Sequence, residues 1–486
     1  MTELAFKGGL ELAEMIRSRK ISCVELLEYY LERTARLNPQ INAIIEMDEA
    51  GARTRARDAD AALVRGEIWG PLHGVPMTVK ESYDVAGMHT TRGNPVWKDQ
   101  VASEDALSIQ RLKNAGVTVF GKTNVPLNLA DFQSYNDIYG TTNNPWDTTR
   151  NCGGSSGGSA ACMAAGLAGV ETGSDIGGSI RNPSHYCGVF GHKPTWGMLP
   201  PRGHAAPGVI AQSDLTVIGP IARTAADLEA LTMAMAGPDE IHAAGYQLAL
   251  QPCAITSLKD VKAAVIVSDD AAPVDAETRT RMNAIIDAIT QAGGTVNTQA
   301  RPDFDFAEGH DIYQTLLWSV MASRNPDETY AALLKAAAGL DPQDDSDRAK
   351  LLRAQVASFR DYSTANEKRT HMRWAWHAFF KEYDVLITPM MATAAFPHDH
   401  RPFGERTILV DNDERPYFEQ LFWAGFAINS YLPSTVIPTG GYSAETRTSL
   451  PIGAQIIGPE FGDLKTIGIA KLLEAEGFGF TPPPGF

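Results

Sequence analysis

The sequence predicts an α/β protein. Two observations carry that reading. Through the first 120 residues, apolar positions alternate between helical spacing and short β-branched runs, and strand-like runs return after residue 384, beyond a long stretch of helical periodicity. With 486 residues, 44% of them hydrophobic and 21% charged, the chain can bury a large core without metal or disulfide support.

The elements follow in order. Residues 8–37 read as helical, because Leu10, Leu12, Ala13 and Ile16, then Val24, Leu27, Tyr30 and Leu31, recur three or four apart. Asn38-Pro39 is expected to end that run. Residues 48–65, rich in Ala, Arg and Asp, read as a second, more exposed helix. The apolar run 75–79 reads as a strand entering the core, residues 103–115 as a helix, and 117–120 as a short buried strand. Residues 150–200 hold many Gly and Ser and few charges, a composition usual for loops. The cluster runs straight into 160–165, however, which is expected to be helical, and a flexible linker does not end so abruptly in a buried helix. Further on, 264–268 reads as a strand and 275–292 as an amphipathic helix. Helices are expected across 306–338 and 345–381, and strands at 385–388, 434–437 and 452–457. The expected organisation is one domain over 1–486: an N-terminal helical part (1–65), a core (66–235), a connecting segment (236–262) and a C-terminal α/β part (263–486).

The net charge of −16 argues against nucleic acid, whose phosphates reward Lys and Arg, and against an anionic membrane surface. Five scattered cysteines (Cys23, Cys152, Cys162, Cys187 and Cys253) with no C-x-x-C suggest free thiols in a reducing cytosol. The N-terminus lacks the basic start and apolar stretch of a signal peptide, and the weakly polar run 159–170 is too short to span a bilayer, which takes ~20 apolar residues. A cytoplasmic enzyme, monomer or homodimer, is expected.

Three motif readings compete. GVTVFGKT at 116–123 fits the phosphate-binding pattern G-x-x-x-x-G-K-[ST], but the residues between its glycines favour a strand rather than a loop of free N–H groups. GGSSGG at 153–158 fits G-x-S-x-G on both Ser155 and Ser156, as in the nucleophile elbow of an α/β-hydrolase esterase. An elbow needs a strand just before it, and residues 143–152 do not read as one; it also needs an acid and a histidine, for which Asp399 and His400 are candidates. His398 and His400 could approach a metal together, but no third ligand at a recognisable spacing accompanies them, so no metal and no cofactor is expected. The third reading joins LHGVPMTVKES (72–82), NCGGSSGGSAA (151–161) and TGSDIGGSIRNPS (172–184). It places Lys80 at the end of an apolar strand, where burial would depress its pKa and make a neutral amine available as a base. Gly177-Gly178-Ser179 fall between a predicted strand and a predicted helix, a turn whose consecutive N–H groups suit an anion.

These segments resemble the amidase signature family. The resemblance extends through KTN at 122–124, NPWD at 144–147, residues 150–195 ending in KPT, GPIARTAADL at 219–228, and more loosely TPMMATAA and LPIGAQIIGPEFGDLKTI. It implies a large mixed β-sheet core flanked by helices. It also implies a triad in which Ser179 is the nucleophile, Ser155 the relay serine preceded by a cis peptide, and Lys80 the base. Ser155 lies 75 residues beyond Lys80 and Ser179 a further 24, in keeping with the family. The resemblance assigns the oxyanion hole to the N–H groups of Ile176, Gly177, Gly178 and Ser179, a substrate contact to the carbonyl of Leu129, and supporting roles to Gly154, Asp175 and Arg181. Two departures, Asn151-Cys152 before the glycines and His192 in GHKPT, bear on substrate preference rather than chemistry.

The expected reaction is hydrolysis of a linear amide C–N bond through a serine acyl-enzyme. Phe132, Gln133 and Tyr135, with Ser155, are expected around the substrate, and Met198 and Trp318 are further candidates. The aromatics favour an aryl amide or a carbamate, as in aryl-acylamidases or urethanases. A glutamine-dependent amidotransferase component is the alternative.

Overall fold

The computed structural model describes residues 2–440 and 450–486. Its centre is an eight-stranded mixed sheet. The strand order is Thr295–Asn297, Lys262–Val265, Val385–Pro389, Gly453–Ile457, Ser434–Pro438, Phe190–Lys193, Val217–Ala222 and Glu171–Asp175. The first three run parallel and the remaining pairings are antiparallel. Its strands come from both 171–222 and 262–457, so one sheet joins the core to the C-terminal part. The central strands are buried along their whole length, as expected when both faces are covered. Segment 236–262 between them carries only two short 3₁₀ turns before the strand at Lys262.

A second, three-stranded sheet has the order Ile44–Met47, Thr118–Thr123, Pro76–Lys80. The last two strands are parallel, and Met77 bridges in parallel to Val170, the residue leading into Glu171–Asp175. Strands Pro76–Lys80 and Glu171–Asp175 therefore end side by side, at the carboxyl edge where open α/β sheets gather their ligand-binding groups. GVTVFGKT lies within this sheet, and Lys122 there donates to Thr90 Oγ1 at 3.1 Å.

Several expectations need correction. The run 8–37 is two helices, Gly9–Arg17 and Cys23–Ile41, broken where Arg19 takes φ 58° and Ser22 caps the second helix. That helix continues through Pro39 to Ile41 and closes on Asn42 at φ 55°. Proline is tolerated there because only the last turn is affected. Residues 147–151 are a strand, paired with Asn143–Asn144 in a two-stranded ribbon outside the main sheet. Asx-type hydrogen bonds, Asn144 Oδ1 to the Trp146 N–H and Asp147 Oδ1 to the Thr149 N–H, fold a segment with little β propensity.

Candidate active site

Lys80 ends its strand wholly buried. Its Nζ lies 2.7 Å from Ser155 Oγ, 2.9 Å from Ser156 Oγ and 2.9 Å from Ser174 Oγ, and no carboxylate touches it. Burial pushes the Lys80 amine well below its ordinary value of 10.5, and the positive charge of Arg92 pushes the same way, against Asp175, Glu171 and Glu81. A neutral amine has two N–H donors and one lone pair, so three hydroxyls around it satisfy it fully.

Two loops bring the serines to this amine. Ser155 and Ser156 precede the helix Gly157–Ala164, and the Gly154–Ser155 peptide is cis. Ser179 lies between Glu171–Asp175 and the helix Arg181–Cys187. The loops are joined by the Ser156 N–H, which donates to the Ser179 carbonyl at 3.1 Å. Asn182 joins them again. Its Oδ1 accepts the Gly154 N–H at 3.0 Å, and its Nδ2 donates to the carbonyls of Gly154 and of Gly178, the latter at 2.9 Å. A side chain at Gly154 would collide with the Asp131 carbonyl, which explains the glycine there.

Asp175 and Arg181 form a fully buried pair, 3.0 Å between Oδ1 and Nη2. Burial pushes the Asp175 carboxyl up, but the Arg181 charge and the N–H groups of Ile180 and Gly178 outweigh it and hold the carboxyl below the usual range. The Gly178 N–H donates to Asp175 Oδ1 at 2.8 Å. This corrects the expected oxyanion hole, because at φ 101° Gly178 turns its N–H back into the brace. The N–H groups of Ile176, Gly177 and Ser179 have no partner among the described residues, and neither has the Ser179 hydroxyl. Ser179 is 7% exposed, toward a cavity of about 50 Å³.

That cavity is walled by Leu129, Phe132, Leu317, Trp318, Phe418 and Leu421, with Ile176 and Gly177 beside the serine. Phe132 and Trp318 both pack on Phe418, at 5.9 Å and 5.7 Å between ring centres. Gln133 and Tyr135 fall outside the lining. Gln133 is spent on the backbone of Asp399, donating to its carbonyl at 2.7 Å and accepting its N–H at 2.9 Å. Tyr135 accepts from Arg406 Nη2 at 2.7 Å and stacks on His400. Met198 packs in the core away from the cavity. His192 bonds Thr435 Oγ1 and Asp463 under the sheet. Asp399 pairs with Arg401, and no cluster of metal-ligating side chains occurs among the described residues. No helix among them is long and apolar enough to cross a membrane.

Sequence reasoning missed Asn182 and Ser174, and weighed Ser156 only as an elbow nucleophile, not as a partner of Lys80. Ser174 was open to inference, since it shares the buried end of its strand with Asp175.

A family model described as amidase matches residues 25–467. A glutamyl-tRNA(Gln) amidotransferase component from Acidothermus cellulolyticus is 30% identical, across 98% of this chain and 95% of its own. The indoleacetamide hydrolase of Bradyrhizobium diazoefficiens is also 30% identical, over 96% and 86%. In fold, the crystal structure of a bacterial aryl acylamidase of the amidase signature enzymes superposes with a TM-score of 0.80 at 24% identity, covering 97% of this chain and 96% of that one. Matched by the family model over most of its length and by relatives over nearly all of it, the chain belongs to the amidase family.

Proposed function

We propose that the protein hydrolyses linear carboxylic amides through an acyl-enzyme on Ser179. The observation that carries this reading is Lys80: an amine sealed from water, surrounded by three hydroxyls, 2.7 Å from Ser155, beside a cavity onto which Ser179 opens. A serine hydroxyl is a weak nucleophile until a base removes its proton. Neutral Lys80 takes the proton of Ser155, Ser155 takes that of Ser179, and Ser179 Oγ attacks the amide carbon. The new oxyanion is held by the N–H groups of Ile176, Gly177 and Ser179, each such donor contributing ~3–4 kcal/mol to lowering the barrier. The proton returns through Ser155 to the leaving nitrogen. Water then attacks the ester by the same relay and frees the acid. The relay requires a Ser155–Ser179 hydroxyl hydrogen bond that forms on substrate binding, since catalytic hydrogen bonds are often completed only then.

The aromatic wall favours an aryl or apolar group beside the scissile bond, in an amide or a carbamate. The amidotransferase relatives support a second reading, in which the chain releases ammonia only beside a companion protein. Turnover of a 4-nitroanilide by the purified chain, lost in Ser179→Ala, supports the stand-alone hydrolase. Turnover that needs an added companion, with glutamine as substrate, supports the second reading.

A further inference from the structure

Trp318 divides two cavities. Among the described residues it is the one that lines both the cavity of about 50 Å³ on which Ser179 opens and a second of about 590 Å³. The larger cavity is walled in part by Asp311, Gln314, Lys350 and Arg353. Where the indole stands therefore decides how much room a substrate finds beside the serine. Packing on Phe418, at 5.7 Å between ring centres, steadies the ring but does not orient its N–H.

Two residues of its own helix do that. His310, Gln314 and Trp318 lie four apart on Phe306–Ala322, so they share one helix face. The Trp318 Nε1–H donates to Gln314 Oε1 at 3.1 Å, and Gln314 Nε2 lies 2.7 Å from His310 Nε2. The directions are forced. An indole N–H can only donate, so Gln314 gives it the oxygen and turns its amide N–H groups to the imidazole. His310 Nε2 must then accept, which puts the ring's one proton on Nδ1. Burial favours that neutral ring: it pushes the His310 pKa down to about 4, against the pull of Asp311 and Asp347. The far end is braced as well. The His310 ring packs on Phe422 at 5.6 Å, and Leu421, the residue before it, lines the smaller cavity. Neither hydrogen bond serves the reaction itself.

We propose that Gln314 and His310 are positioning residues that hold the Trp318 indole as a partition, keep the substrate in the smaller cavity, and so select compact amides over those with a long or multi-ring group. This rests on the hydrolase reading above and adds to it a determinant of substrate size. An indole that swings aside for a larger group gives up its bond to Gln314, and that cost is the selectivity.

The test compares 4-nitroacetanilide with two larger amides, 6-phenylhexanoyl-4-nitroanilide on the acyl side and N-acetyl-2-aminoanthracene on the amine side. Each ratio of kcat/KM, large over small, is read within one preparation, so a partly unfolded sample does not change it. His310→Phe keeps the ring packing and removes the acceptor, and Gln314→Leu removes both bonds. Each should raise at least one ratio about three- to tenfold, the worth of one hydrogen bond. His310→Gln, whose Oε1 can still accept from Gln314, should restore the wild-type ratio. In a Trp318→Phe background, which has no indole N–H, His310→Phe should change nothing further. Ratios unmoved by both His310→Phe and Gln314→Leu, or moved equally with Trp318→Phe present, would overturn the proposal. A readout without turnover is the indole N–H resonance of Trp318 in nitrogen-labelled protein, identified by its absence in Trp318→Phe. Its exchange with water should quicken in His310→Phe and return to the wild-type rate in His310→Gln; an unchanged rate in His310→Phe would likewise overturn the proposal. The hydrolase reading fails separately, if wild-type protein shows no Ser179-dependent turnover of any of the three amides.

Discussion

Replacing Asn182 with alanine should loosen the site without touching any group proposed to react. Among the described residues, the Asn182 carboxamide is the one side chain bonded to both the Ser155 loop and the Ser179 loop. Its removal leaves the Gly154 N–H and C=O groups without these partners in a buried setting. The Gly178 carbonyl keeps the Asn182 backbone N–H. Two orphaned groups at about 1–3 kcal/mol each give a loss of about 2–6 kcal/mol, toward the lower end if water enters the vacated space. The kinetic loss should be larger than that, since a displacement of about 1 Å in a reacting group can cost about a hundredfold in rate. Urea unfolding followed by tryptophan fluorescence reads the first quantity, and the rate of Ser179 modification by a fluorophosphonate reads the second. An unchanged unfolding midpoint together with an unchanged labelling rate would refute the idea that Asn182 holds the two loops in register.

Other outcomes follow from the same geometry. Activity should rise with pH along a single limb whose midpoint lies well below 10.5, because only neutral Lys80 can act as base; a profile flat from acidic pH would count against it. The folded Lys80 pKa is depressed, so folding stability should fall as pH drops from 10.5 toward the folded value, and Lys80→Met should remove that slope along with activity. Glu171 behaves oppositely: burial raises its pKa from 4.5 to about 8, so stability present below 4.5 is lost as pH rises through about 8. Glu171→Gln should cancel that loss, which stability curves at pH 5 and pH 9 would detect. Trp318 lines both the 50 Å³ cavity and a neighbouring one of about 590 Å³. Trp318→Ala should join them and raise the relative kcat/KM for bulky over small anilides; an unchanged ratio would place the substrate elsewhere.

About half of the sheet was legible where strands carry dense β-branched runs, as in 385–388 and 434–437, and the site segments sit where such runs end; the strands at 190–193, 217–222 and 295–297, short or interrupted by Gly and Pro, were not read as strands. The lysine was legible for the same reason: a charge closing an apolar strand has to be solvated, paired or neutral. The ribbon at 147–151 was not, since side-chain turns and a partner strand fold it rather than local propensity. Tyr135 and Gln133 look like pocket residues by composition. What removes them is Arg406 and Asp399, more than 260 residues away in sequence, and no local pattern reports such contacts. The Gly178 N–H illustrates a finer limit. Four amides in a row suggest a four-donor hole, and only the direction of one N–H assigns it to Asp175.

The most direct measurement is peptide mapping after reaction with a fluorophosphonate. The expected result is one adduct on Ser179, absent from Ser179→Ala and strongly slowed in Lys80→Met. An adduct on Ser155 or Ser156 would contradict the assignment and return the chemistry to an elbow serine that needs a histidine.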